Sequence, residues 1–369
     1  MKGRPLDRIE IKGFRSIKNL DLTLQDVNVL IGPNGAGKSN FISFLQMMSA
    51  LIRGRLNEYA GKAGGANAIL HYGRKTTPKL IGNLYFGQNG YLFTLSATAE
   101  DRFIFEKEIL HFSGIRYPGK DINLGGGQSE SKAPATYKEK GDYSIPGYVV
   151  NPIRSWITYH FHDTSSEAPP KQSTDVHLNE ILKPDGSNLA AFLYLLQEKW
   201  EGQYDQIRSS VQQVFPKFSD FVLRPEALNQ DKIRLKWREK GSDHPFLADQ
   251  LSDGTIRFIC LATVLLQPSH FMPATMIIDE PELGLHPSSL TTLAELIQDA
   301  ARRTQIIIST QSASLVDEFK ADDIITVDRE PGDRGASIFK RHSTEKLEYW
   351  LKEYSLSEVW EKNIIGGRP

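Results

Sequence analysis

Residues 32–39 read GPNGAGKS, and this octet constrains the fold more than any other stretch of the 369-residue chain. It satisfies the pattern G-x-x-x-x-G-K-[ST] in full. The apolar run VNVLI leads into it. Phe41, Phe44, Leu45, Met48, Leu51 and Ile52 follow as one helical stripe. Strand, glycine-rich turn and helix in this order let backbone N–H groups converge on phosphate oxygens at the positive end of a helix. Gly32, Asn34, Gly35, Gly37 and Asn40 belong to that loop and its flank. Lys38 is spaced to reach the β- and γ-phosphates of a nucleotide, and Ser39 to ligate Mg²⁺.

A second acidic feature suits the first. Met276-Ile277-Ile278 reads as a buried strand that ends in Asp279-Glu280-Pro281. In a parallel sheet, ligands collect at the carboxyl ends of strands. Asp279 is expected to hold the Mg²⁺, directly or through water. Glu280 points to the other side and can orient or deprotonate an attacking water. Upstream, Leu251-Ser252-Asp253-Gly254-Thr255 is either a polar turn or the capped start of a helix whose N–H groups face an anion. Asp253 is awkward in the second case. It either turns away to cap the helix or weakens the approach of phosphate.

Around these motifs the pattern is α/β. FICLATVLL reads as a helix, MIID as a strand, SSLTTLAELIQDAARR as a helix, and QIIIST and DDIITVD as strands. That alternation predicts a mostly parallel sheet. Residues 79–113 carry short β-type runs without helical periodicity, which suggests an antiparallel β subdomain. Residues 118–142, with GGGQSESKAP, read as a mobile loop. SNLAAFLYLLQEKW opens a helical insertion. The expected organisation is a nucleotide-binding domain split between 1–60 and 245–340. A β-rich insertion would occupy 61–160, a helical or lid insertion 161–244, and packing or docking helices 341–369. The net charge of −1 gives no global basic field. The lone Cys260, the absence of a signal-type N-terminus and apolar runs too short for a bilayer point to a cytoplasmic chain without a membrane partner.

Taken together, FRSIKNLDLTLQDVNVLIGPNGAGKSN, LSDGT, MIIDEPELGLHP and IIISTQS resemble, in this order, ABC-type ATPases of the RecF/SMC/OLD branch. They resemble most the compact bacterial AAA-domain ATPases of that branch that lack a long coiled coil. The resemblance implies an α/β P-loop NTPase fold of ABC-ATPase type, with ATP and Mg²⁺ as ligands. It implies a head-to-tail homodimer in which Ser252 and Gly254 contact the γ-phosphate held by the other chain. Leu283-Gly284-Leu285-His286 would form the D-loop at the dimer seam. Arg15 matches an arginine that approaches the nucleotide, or is a surface residue. Gln311 stands where the switch residue is usually His, so Glu280, Lys38 and Gln311 are the catalytic set. Gln cannot change charge near pH 7, which favours slow hydrolysis. Asp253 and Thr255 also depart from the family's LSGGQ. Gln88 is a candidate for the family's Q-loop, or a hairpin turn.

The implied function is an ATP-dependent dimerisation switch in DNA maintenance or anti-phage defence, working with a separately encoded nuclease or toxin effector. No TOPRIM-like or HNH-like cluster follows residue 320. Alternatives are a structural DNA-binding module with incidental ATPase activity, an ATPase subunit of a transporter, and a small-molecule kinase. Two weaker constellations remain. His160 and His162 share one side of a strand, followed by Asp163, but a metal site there lacks a recognisable third ligand. Lys232, Arg234, Lys236, Arg238 and Lys240 alternate with Ile233, Leu235 and Trp237. They form either a cationic face for DNA or an edge strand guarded against aggregation.

Overall fold

The computed structural model describes residues 4–114, 118–332 and 335–368. Its centre is a six-stranded sheet in the order Ser337–Arg341, Ile324–Arg329, Val27–Ile31, Gln305–Thr310, Thr275–Asp279, Ile157–Tyr159. All pairings are parallel except that of the first two strands. The inner strands Val27–Ile31, Gln305–Thr310 and Thr275–Asp279 are mostly apolar and buried because both faces are covered, and successive side chains go to opposite faces. Val27, Val29, Ile31, Met276, Ile278, Ile306 and Ile308 join one core. That core also takes buried residues of the helices Leu189–Lys199, Glu201–Val214, Asp253–Leu266 and Pro287–Ala301. Leu30, Ile277, Ile307 and Ile325 enter a second core with Phe41, Phe44, Leu45 and Met48 of the helix Lys38–Ile52.

Beyond that helix lies an antiparallel six-stranded sheet. Its order is Ile17–Thr23, Arg8–Phe14, Lys79–Phe86, Asn89–Ala97, Phe103–Phe112, Lys120–Gly125. The first 60 residues thus contribute to both sheets. Ile157–Tyr159 leaves the β-rich stretch and joins the parallel sheet beside Thr275–Asp279. Phe86 pairs with Asn89 across a two-residue turn, so Gln88 sits in a hairpin turn.

The expected mobile loop at 118–142 is ordered. It supplies the strand Lys120–Gly125 and the helix Ala133–Lys140. The cause is Glu108, fully buried, which accepts hydrogen bonds from Tyr91 Oη, Gln128 Nε2, the Lys132 N–H and Ser131 Oγ. Glu130 adds two more anchors by accepting from the N–H groups of Leu56 and Asn57. Glycine and serine content gave no sign of these distant carboxylate anchors.

Residues 231–240 do not form one strand. They divide between Asn229–Ile233 and Lys236–Glu239, which lie in different three-stranded sheets. Ile233, Leu235 and Trp237 are buried as the alternation predicts. The cations between them are partly neutralised. Lys232 lies 3.8 Å from Asp175, and Arg234 pairs with Asp249 at 2.9 Å. The C-terminal helices Thr344–Leu351 and Leu356–Glu361 bury Leu347, Leu356, Val359 and Trp360 against the first core. Cys260 is buried in the helix Asp253–Leu266. Among the described residues no helix is long and apolar enough to cross a membrane.

Candidate nucleotide site

The strand Val27–Ile31 is buried along its whole length and delivers the phosphate loop to the carboxyl edge of the parallel sheet. Gly37 has φ 128°, and any side chain there would run into Ser337 Oγ, so only glycine fits. Ser39 is exposed at the start of the following helix. Lys38 is buried and turns back on the loop, donating to the carbonyls of Gly32 and Pro33. Burial pulls its pKa down, while the carboxylates of Glu280, Asp279 and Glu282 oppose this.

A cleft of about 130 Å³ opens at this point. It is lined by Pro33, Asn34, Gly35, Gly37, Lys38, Ser39, Asn40, Glu280 and Gln311. Register explains how the distant residues arrive. Asp279 lies beside Ser309 in the parallel pair, which brings both strand ends to the loop. Glu280 has φ 46°, a left-handed conformation that costs a non-glycine residue about 1 kcal/mol or more. Its N–H donates to the Ser309 carbonyl at 2.8 Å, and Gln311 Nε2 donates to its Oε1 at 2.7 Å. Glu280 and Gln311 are therefore held against each other.

Glu282 is a further member of the site. It accepts from Thr310 Oγ1 at 2.6 Å and from the Gln311 N–H at 3.1 Å, fixing the backbone of the switch. Burial raises its pKa, and these hydrogen bonds oppose the rise. The signal in the sequence is the second glutamate of DEPE, two residues past Glu280.

The signature residues lie elsewhere. Ser252 caps the helix Asp253–Leu266, accepting from the Thr255 N–H at 3.2 Å. Asp253 sits in the first turn, 3.9 Å from the buried Lys171 ammonium. A side chain at Gly254 would strike the Gly284 carbonyl, so this helix start packs tightly on the 283–286 loop of its own chain. Neither Ser252 nor Gly254 lines the cleft. Arg257 of the same helix is buried and donates to the carbonyls of Phe161 and His162. Arg15 also stays outside the cleft lining, with its guanidinium on Ser43 Oγ at 2.9 Å. Asn40 bonds Ser16 Oγ at 2.6 Å.

The histidine pair has a different carboxylate neighbour from the one its sequence suggests. Asp163 is occupied with the N–H and Oγ of Ser165. Asp279 takes its place: one ligand atom from each of His160, His162 and Asp279 lies within 4.8 Å of the others. Burial pulls the His160 pKa down, opposed by Asp279 and aided by His162.

Comparison with known proteins agrees with this architecture. Residues 27–317 match the family described as AAA domain, putative AbiEii toxin, Type IV TA system. The Old nuclease of Escherichia phage P2 is 29% identical over 163 residues, a match that takes in 40% of this chain and 27% of that protein. The OLD nuclease of Thermus scotoductus is 22% identical over 98% of this chain and 68% of its own length. Among solved structures, an Smc head bound to the C-terminal winged-helix domain of ScpA superimposes with a TM-score of 0.60 at 15% identity. It covers 94% of this chain and 99% of that one. An Smc head from Pyrococcus furiosus gives 0.56 at 14% identity, over 95% and 99%. These likenesses speak for the fold. With the family match spanning both the phosphate loop and the switch strand, the chain belongs to this AAA-domain family and is an ABC-type ATPase of the RecF/SMC/OLD branch.

Proposed function

We propose that this protein binds and slowly hydrolyses ATP, and that ATP joins two copies head to tail as a switch. One observation carries this most strongly. The cleft gathers the phosphate loop, Glu280 and Gln311, while Ser252 and Gly254 of the same chain do not line it. Ser252 is exposed at the start of the helix Asp253–Leu266, and with the neighbouring Gly254 it would close a partner's cleft.

The donor set fits a magnesium nucleotide. The loop offers N–H groups and the Lys38 ammonium to phosphate. Ser39 in the cleft lining, and Asp279 one residue before the lining Glu280, would offer the oxygen ligands that suit Mg²⁺. Bound there, the ion would neutralise charge on the β- and γ-phosphates. Lys38 would release the loop carbonyls and turn to the phosphates. Glu280 would take the proton of the attacking water, with Gln311 steering its carboxylate. Arg15 and Asn40 would brace the loop from the side of the Lys38–Ile52 helix.

The family description mentions a toxin–antitoxin system, and two relatives are named nucleases, one of them from a phage. These names support a role in DNA maintenance or anti-phage defence beside a separate nuclease or toxin effector, in a cytoplasmic setting.

The test uses Glu280→Gln with ATP and Mg²⁺, and mass is read by light scattering with and without DNA. Turnover should fall about 100-fold or more, and a nucleotide-locked dimer should accumulate. A chain that stays monomeric under every condition would overturn the switch.

A further inference from the structure

We propose that His160, His162 and Asp279 form a binding site for a divalent transition-metal ion of the Mn²⁺, Fe²⁺ or Zn²⁺ class at the edge of the nucleotide cleft. The two histidines stand 117 or more positions from Asp279 in sequence, yet the fold builds the group directly. Tyr159 pairs with Ile278 in parallel register, so the next residue on each strand, His160 and Asp279, emerges at the same sheet edge. His162, two residues further, places its ring 5.9 Å from that of His160, with 32° between the planes.

Three ligand atoms already lie within 4.8 Å of one another. Ligands around an ion at 2.0–2.2 Å sit roughly 3.4 Å apart in tetrahedral geometry, so small side-chain rotations close the set. The backbone that carries the rings is held. Arg257 donates to Phe161 O at 2.7 Å and to His162 O at 3.2 Å. The Gln46 side-chain amide lies 3.2 Å from His160 Nε2, and turned so that its Oε1 accepts from Nε2–H it would orient that ring and leave Nδ1 for the ion. His162 is exposed, which gives an ion a way in from solvent.

Ligand chemistry selects the ion. Two imidazoles and one carboxylate suit transition metals, whereas Mg²⁺ demands oxygen ligands. Asp279 is also the carboxylate assigned to the nucleotide's Mg²⁺. An ion on the imidazoles would therefore draw on the same oxygen atoms and could tune or block nucleotide chemistry.

The experiment omits nucleotide, so its outcome is independent of the ATP switch. The full chain is stripped with a chelator and titrated with Zn²⁺ and with Mn²⁺ by calorimetry. Co²⁺ is added separately for its visible absorption. Wild type should take up one Zn²⁺ per chain and show the intense bands of low-coordinate Co²⁺. Loss of an outer partner of a metal ligand costs 10–100-fold, so His162→Ala should weaken Zn²⁺ binding at least about 100-fold. The double variant His160→Ala/His162→Ala should abolish it, and Mg²⁺ should not compete at equal concentration. Because His162 is exposed, the single variant keeps its fold, checked by circular dichroism. Wild type that takes up no Zn²⁺, or a folded His162→Ala that binds it equally well, overturns the proposal.

Discussion

At the scale of single residues, the site combines strain with tight anchoring. Glu280 is left-handed, and two hydrogen bonds, one from Gln311 Nε2 and one to Ser309 O, hold it there. A residue kept in such a conformation next to a phosphate loop is pre-positioned rather than induced. Far from the cleft, His342 has a different consequence. It is buried, its Nε2 lies 2.8 Å from Thr326 Oγ1, and its pKa is pulled down to about 4 by burial, with Lys340 and Lys346 adding. The unfolded chain keeps the ordinary value of about 6.5, so it takes up the proton first as pH falls. Stability is then full above pH 6.5 and declines between pH 6.5 and 4. We expect urea unfolding at pH 4.5 to show a loss of about 2–3 kcal/mol relative to pH 7 from this group. His342→Gln should flatten that part of the profile, and an unchanged slope would exclude His342 as its source.

At the scale of elements, one buried carboxylate decides whether 118–142 is structured. Glu108 collects four donors, three of them from residues 128–132. Glu108→Ala leaves those donors unmet and should cost about 3 kcal/mol. The local consequence is sharper than the global one. Limited proteolysis should cut the variant between residues 125 and 132 well before the core opens. Equal protection in wild type and variant would show that other contacts hold the segment. The cationic run at 231–240 also changes meaning at this scale. Lys232 pairs with Asp175 and Arg234 with Asp249, and the run breaks between two sheets, so the five cations do not share one strand face.

For the whole molecule, the separation of cleft and signature is the feature that asks for a second copy. A composite site predicts complementation. Lys38→Ala destroys the phosphate loop of one chain, and Ser252→Arg the closing surface of another. Each variant alone should be inactive. In an equal mixture half the dimers are mixed, and each mixed dimer retains one intact site of two, so turnover should recover to about a quarter of wild type. No recovery on mixing would argue that each chain works alone.

Much of this arrangement was readable in the residues because it depends on local chemistry. Glycine spacing defines the phosphate loop, apolar runs mark strands covered on both faces, and Ser252 caps a helix through a hydroxyl that accepts from the N–H three residues on. What stayed hidden depends on pairings across long stretches of chain. The neighbour of Thr275–Asp279 is a strand more than 100 residues upstream, and only its register makes Asp279, not Asp163, the carboxylate beside the two imidazoles. Glu108 orders a glycine- and serine-rich segment that composition alone marks as loose. The physical reason is the same in each case: a loop's own backbone limits its shape, whereas a buried charge or a strand edge takes its meaning from whatever the tertiary fold sets against it.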